Sequence, residues 1–209
     1  MSDESSNLEQ VYGAEDSNAT REAYEGWAAG YDSENIGNGY RVPSIGCALF
    51  ARHVDRNGGA VFDAACGTGI IGGVLELLGY QEIIGSDISP VMLKLADPLT
   101  AYQRLYEHDL SNLLPEADNT YNAVVCFGSL GPGHAPADCM DEFVRVTRSG
   151  GFVVFNVRAE TYAQQDLKVK VEDLEATRKW VLVEQSPIFR SYYLVEPDVT
   201  SQVYVFQVS

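Results

Sequence analysis

From residue 60 onward, short apolar runs alternate with segments whose apolar residues recur every three or four positions. A short continuous or alternating apolar run marks a strand, and the three-to-four recurrence marks a helix that buries one face. The pattern predicts strands over residues 60–64, 82–86, 104–108, 122–127 and 152–157, with helices over 70–78, from Ser89-Pro90 onward and over 136–147. Gly79 stops the first of these helices, and Ser89-Pro90 supplies a hydroxyl N-cap followed by proline at the first helical position. Met140, Phe143, Val144 and Val146 fall on one side of 136–147, whereas 152–157 is apolar almost throughout, as a strand covered on both faces would be. Strand and helix alternating in this way predict a doubly wound, mostly parallel α/β sheet with helices on both faces.

The two ends depart from that rhythm. Residues 1–20 are polar, acidic and poor in branched apolar side chains, so they are expected to form a flexible arm that buries too little surface to offset its ordering entropy. Over 21–31, Tyr24, Trp27, Ala28 and Tyr31 fall at helical spacing, and a second helix is expected from Pro43 to just before Asn57-Gly58-Gly59, with Ile45, Ala48, Leu49 and Arg52 in register. After a polar helix between about 160 and 179, two β-rich runs, 180–184 and 202–208, follow with no helix between them. That arrangement predicts a C-terminal antiparallel hairpin at the end of the sheet. The expected organisation is the arm, then one domain over 21–209 in which 21–57 form an N-terminal helical lid. A chain of 209 residues, 45% of them hydrophobic, suits one α/β domain.

Thirty acidic against fourteen basic residues give a formal net charge of −16, a field that repels polyanions and argues against a nucleic-acid partner. Lys168 with Lys170 and Arg178 with Lys179 are flanked by acids and read as solvated helix surface. No apolar run approaches the ~20 residues of a membrane span, and the chain opens on Met1, Ser2, Asp3, Glu4 instead of a basic then apolar leader. Cys47, Cys66, Cys126 and Cys139 have neither C-x-x-C spacing nor a histidine pair nearby, so they read as reduced thiols and not as a metal site. Together these features predict a soluble, cytoplasmic protein.

The densest chemistry lies in Val61-Phe62-Asp63-Ala64-Ala65-Cys66-Gly67-Thr68-Gly69, between the first strand and the next helix. Gly67-x-Gly69-x-x-Gly72, with Asp87 at the end of the second strand, satisfies the dinucleotide fingerprint, so an NAD-dependent oxidoreductase stands as an alternative. Asp63 weighs against it. A carboxylate beside the glycines repels a pyrophosphate but attracts a ligand that carries an ammonium and a sulfonium.

Residues 24–157 resemble the class I, Rossmann-like, S-adenosylmethionine-dependent methyltransferases. The likeness is carried by the glycine run, by Gly85-Ser86-Asp87-Ile88-Ser89, by His108-Asp109-Leu110, by Thr120-Tyr121-Asn122-Ala123-Val124-Val125 and by Ser149-Gly150-Gly151. Tyr24 through Asp32, Tyr40-Arg41-Val42-Pro43 and Ala65 through Gly69 are similar to the group of the methyltransferase-like protein of the Williams-Beuren syndrome region. The resemblance implies S-adenosylmethionine as cofactor and a seven-stranded sheet whose last strand is antiparallel. It also implies that Asp63, Ala64 and Gly67 border the amino-acid end of the cofactor and that Asp87 accepts from both ribose hydroxyls. Asp109, the Leu110 amide and Ile88 would hold the adenine.

Trp27 and Tyr31 are placed to meet the sulfonium by cation–π attraction, and Arg41 to fork the ligand's carboxylate; the competing reading is that their helix packs its aromatic stripe on the core. The loop Cys126 to Pro136 borders the reacting centre, because ligands of doubly wound sheets sit beyond the carboxyl ends of the strands. It lacks the Asn/Asp-Pro-Pro-aromatic signature associated with planar amino groups of bases or glutamine. In it, His134 is the candidate general base, against a bland reading as a surface residue, and Phe127, Ser129 and His134, with Tyr24 or Tyr31 opposite, are expected to line the acceptor pocket. With no large inserted cap, the expected acceptor is a small molecule. An adenosylmethionine-binding scaffold or non-methylating enzyme is the other alternative.

Overall fold

The computed structural model describes residues 7, 11, 13, 17–131, 134–162 and 166–209. The described elements begin with α1 (Ser17–Trp27), α2 (Tyr31–Gly37) and α3 (Val42–His53). The alternating part follows as β1 (Val61–Ala64), α4 (Ile70–Leu77), β2 (Ile83–Asp87), α5 (Pro90–Ala96), β3 (Tyr102–Glu107), β4 (Tyr121–Cys126), α6 (Cys139–Val146) and β5 (Thr147–Arg158). Two further helices, α7 (Ala159–Tyr162) and α8 (Asp166–Ala176), lead to β6 (Trp180–Gln185), β7 (Phe189–Arg190) and β8 (Thr200–Val208).

The strands form one eight-stranded sheet in the order β3-β2-β1-β4-β5-β8-β6, with the two-residue β7 pairing on β8. Pairings among β1 to β5 are parallel, whereas β8 runs antiparallel to both β5 and β6. Seven strands therefore make the main path, as expected, and β7 is an additional short one. Strand order reverses between β1 and β4, which places the crevice for a ligand beyond their carboxyl ends.

Side-chain alternation divides the core. Phe62, Val124, Phe143 and Phe155 pack on one face of the sheet, and Val61, Leu75, Val125 and Val154 pack with Phe50 on the other. On the first face Phe155, Phe206 and Trp180 stack, with Trp180 and Phe206 ring centroids 4.3 Å apart. Ser89 caps α5 as predicted, its hydroxyl accepting from the Met92 amide at 3.2 Å. β5 begins earlier than residue 152: Thr147 pairs with Tyr121, and a register shift before Ala123–Phe152 absorbs the Ser149-Gly150-Gly151 turn without ending the strand.

The arm expected over 1–20 lies largely outside the described residues. Where the structure describes it, the expectation fails: Ser17–Thr20 belong to α1, and Val11 is buried against Trp27 and Tyr192, so apolar contact has compensated its ordering. Tyr192 belongs to the connection between β7 and β8, which ties down the N-terminal helices. Its ring stacks on Tyr40 and its hydroxyl donates to Asn35, 157 residues away. The backbone adds Arg41 to Ser191, Tyr193 to Gly39 and Leu194 to Asn38 hydrogen bonds.

Gly72, the third glycine of the fingerprint, is a packing position. A β-carbon there would lie 2.3 Å from the Tyr102 ring, whose hydroxyl accepts from the Gly72 amide. Gly72→Ala is therefore expected to lose about 1 to 3 kcal/mol of stability through overpacking, measured by equilibrium chemical denaturation; a loss below about 0.5 kcal/mol would show that the ring can yield.

Candidate active site

The chain leaves β1 through a loop of positive backbone angles, Ala65 at φ 57°, Gly67 at φ 56° and Gly69 at φ 91°, before entering α4. Ala65 pays a steric cost in that conformation, so the surrounding bonds must fix the loop. They converge on the end of β2. The Cys66 amide donates to the Ser86 carbonyl, and the Gly67 amide donates to Asp87 Oδ2 at 2.8 Å. Asp87 Oδ1 accepts from the Ser89 amide, also at 2.8 Å, so one carboxylate joins the glycine loop to the start of α5. Burial pushes the Asp87 carboxyl up from its ordinary value, while the Ser89, Gly67 and Ile88 amides pull it back.

A cavity of ≈ 330 Å³ opens over the carboxyl ends of the parallel strands. Gly67 and Asp87 form its floor, and Ile88, Asp109 and Leu110 form one end. Tyr24, Tyr31, Phe127, Ser129 and His134 form the other. Half-buried Asp109 accepts the Ser111 amide on Oδ1 at 2.8 Å. Phe127 is held by Gly46 of α3, where a β-carbon would come within 2.5 Å of the ring.

Four of the expected contacts are absent from this cavity. Asp63, 1% exposed, points away from it and accepts the Tyr102 hydroxyl at 2.6 Å, so its carboxylate does not face a ligand's ammonium. Ala64 is fully buried in the opposite core face. Arg41 lies over the Tyr193 ring at 4.5 Å and the Phe189 ring at 5.4 Å and donates to the Arg190 carbonyl. Trp27 is buried with Val11 and Tyr192, and its indole N–H donates to Glu34 at 2.8 Å. For Arg41 and Trp27 the packing alternative is the one the structure displays.

Other residues emerge as contributors. α1 and α2 roof the cavity through polar contacts to three different elements: Thr68 donates to Asp32 at 2.5 Å, Ser89 to Glu25 at 3.4 Å, and the Tyr24 hydroxyl pairs with His134 Nε2 at 3.2 Å. Thr68 carries the one hydroxyl of the glycine loop, which was the available signal for a tether there. Tyr102 serves Asp63 and Gly72 together, and its signal was the pair Gly72 and Gly85, both of which leave room for its ring. Among the described residues no group of His, Cys, Asp and Glu is placed to hold a metal ion, and no helix is long and apolar enough to cross a membrane.

The set fits the cofactor that the sequence implies. Each oxygen of Asp87 accepts one amide and keeps acceptor capacity for a diol, Asp109 Oδ2 is available to an amino group, and Ile88 and Leu110 make an apolar shelf for a flat ring. A side chain at Gly67 would meet nothing within 4 Å, so the loop leaves open space for a ligand to approach its backbone.

Burial, partly offset by the Tyr102 hydroxyl, reinforced by Asp87 and lowered by the Gly72 amide, pushes the Asp63 carboxyl up to about 7 from 3.8. The folded protein then holds a proton that the unfolded chain releases, so the contribution to stability is complete below 3.8 and is lost as pH rises to about 7. Wild type is accordingly expected to lose stability relative to Asp63→Asn as pH is raised through that window in paired denaturation series. A difference that does not change with pH would mean that Asp63 is ionised throughout.

Residues 62–155 match the family described as methyltransferase domain. The chain is 30% identical to methyltransferase-like protein 27 of Homo sapiens over 173 residues, 80% of this chain and 70% of that protein. Among solved structures, the [4+2]-cyclase SpnF is similar with a TM-score of 0.74 at 16% identity, covering 93% of this chain and 97% of that one. A TehB-like SAM-dependent methyltransferase from Corynebacterium glutamicum gives 0.63 at 21% identity, covering 90% and 100%. The structural likenesses establish the fold, and the human relative carries the assignment further: the chain belongs to the class I methyltransferases that use S-adenosylmethionine.

Proposed function

We propose that this methyltransferase acts on a small molecule held under α1 and α2, in a reducing, cytoplasmic setting and not on nucleic acid. The observation that carries the reading is the roof itself: the Tyr24–His134, Thr68–Asp32 and Ser89–Glu25 contacts span the cavity mouth, which leaves little room for a folded macromolecule. The net charge of −16 and four buried, unpaired cysteines support the partner and the compartment. The tracts at Tyr24–Asp32 and Tyr40–Pro43 support a place in the Williams-Beuren syndrome region group, and residues 21–57 act as the lid.

S-adenosylmethionine, when bound, supplies a methyl carbon on a positively charged sulfur. Asp87 would hold the diol, and Asp109 with Ile88 and Leu110 the adenine, while Tyr24, Phe127 and His134 line the rest of the same cavity. Tyr31 lines that other end, where an aromatic face attracts a cation most once water is excluded. Asp63 lies behind the loop and braces it through its hydrogen bond from Tyr102, while Trp27 and Arg41 pack beside the roof and Ala64 lies in the core beneath. The Tyr24–His134 pair would take the proton of an acceptor held at this end of the cavity.

Asp87→Ala is expected to weaken adenosylmethionine binding by roughly 1.5 to 3 kcal/mol in calorimetry, through loss of charge-assisted hydrogen bonds; unchanged affinity would remove Asp87 from the site. With labelled methyl groups and a cell extract, label is expected in the low-mass fraction. His134→Gln should lower that rate by about 100-fold and remove the rising limb of its pH profile, leaving cofactor affinity within about 0.5 kcal/mol. Label confined to protein or RNA would overturn the small-molecule reading, and an unaltered pH profile would overturn the base.

A further inference from the structure

The edge strand β3 carries a bulge at its first step. Tyr102 pairs with Ile83 and Arg104 with Ile84, which leaves Gln103 as the extra residue. Unbroken alternation would put Tyr102 on the same face as Arg104 and Tyr106, where the Arg104 guanidinium lies over the Tyr106 ring at 4.6 Å. The bulge turns Tyr102 onto the opposite face instead, where it packs with Ile83 and Leu75.

From there the ring crosses β2 and reaches β1 and the glycine loop. A β-carbon at Gly85 of β2 would lie 2.8 Å from it, and β-carbons at Gly69 and Gly72 would lie 3.1 and 2.3 Å away. The lack of a side chain at three positions therefore admits one ring.

The hydroxyl of that ring meets both ends of the loop. It donates to Asp63 Oδ2 at 2.6 Å, near the end of β1, and accepts from the Gly72 amide at 3.2 Å, in the first turn of α4. First-turn amides have no partner within their own helix, and the α4 N-cap is Gly69, which has no side chain to serve them. Tyr102 supplies the missing acceptor from another strand. Burial and the neighbouring Asp63 push the phenol up from its ordinary value, so it keeps the proton it donates. Asp87 is anchored separately, because the Ser89 amide holds it as well as the Gly67 amide.

We propose that Tyr102 is a positioning residue of the cofactor site, which holds the glycine loop in the shape that receives the amino-acid end of S-adenosylmethionine. It does not line the cavity and acts through the loop alone. The choice of end rests on the reading in which Asp87, Asp109 and Leu110 hold the nucleoside.

The test uses the full chain, with adenosylhomocysteine and adenosine titrated by calorimetry. Tyr102→Phe keeps the ring and loses both hydrogen bonds. It is expected to bind adenosylhomocysteine at least 10-fold more weakly and adenosine less than 3-fold more weakly, with faster amide exchange over residues 66–72 and unchanged exchange in β4. Tyr106→Phe is the control, since it removes a hydroxyl that bonds Glu116 on the other face of the same strand, and both affinities should stay within 2-fold. Gly72→Ala, whose β-carbon meets the Tyr102 ring and hydroxyl first, is expected to show the same selective loss and decides the matter if Tyr102→Phe does not fold. Unchanged adenosylhomocysteine affinity in a folded variant, equal weakening of both ligands, or an equal loss in Tyr106→Phe would overturn the assignment. Adenosine affinity that survives Asp87→Ala would instead overturn the nucleoside reading on which the choice of end rests.

Discussion

The carboxylate of Asp87 governs much of the geometry at the top of the sheet. Burying a charge there is unfavourable unless donors surround it, and the donors are the backbone amides of Gly67 and Ser89. Meeting that requirement bends the glycine loop back over β2 and starts α5 at a fixed point. The floor of the cofactor cavity therefore exists before any ligand contributes to it. Asp63 stands behind the same loop in a drier place, where Tyr102 supplies the nearest donor and the proton is held up to about pH 7. Two carboxylates in one small region thus take different roles, one facing the ligand and one holding the scaffold.

Much of this was legible in the chain. Period and punctuation gave the parallel strands, the Ser89 cap and the C-terminal hairpin, since each depends on neighbours a few residues apart. Direction was harder to read. In β1, Val61 and Asp63 share one face and Phe62 and Ala64 the other, so alternation already turned Ala64 into the core and Asp63 towards Tyr102; charge complementarity alone suggested the ligand instead. Trp27 and Arg41 were illegible for a different reason. Their partners, Tyr192 for one and Phe189 with Tyr193 for the other, come from the far end of the chain. Val11 likewise gains its burial from Trp27 and Tyr192, which local composition does not reveal.

Fold and chemistry separate cleanly in this molecule. A cyclase shares its architecture at a TM-score of 0.74, so the sheet and its helices do not by themselves specify methyl transfer. What distinguishes one such protein from another lies above the strands: the roof and the loop after β4. The roof comes from the N-terminal helices and is held by the β7–β8 connection near the C-terminus, while the loop after β4 and the cofactor floor come from the middle of the chain.

The clamp between the β7–β8 connection and the N-terminal helices has a consequence for how such a protein can change. Tyr192, Ser191 and Leu194 hold Asn35, Tyr40, Arg41 and Asn38 directly, across 157 residues in the Tyr192–Asn35 case. Ser191 and Tyr192 also line a smaller cavity that shares Tyr24, Tyr31 and Tyr40 with the cofactor cavity. A drift in substrate preference at one terminus therefore disturbs the seating of the other, and a recombinant that inherited its two ends from different ancestors would carry mismatched halves of one pocket. The middle of the chain meets the same helices through Thr68, Ser89, Phe127 and His134, so diversification in this architecture is expected to proceed by linked change that includes the glycine loop and the loop after β4.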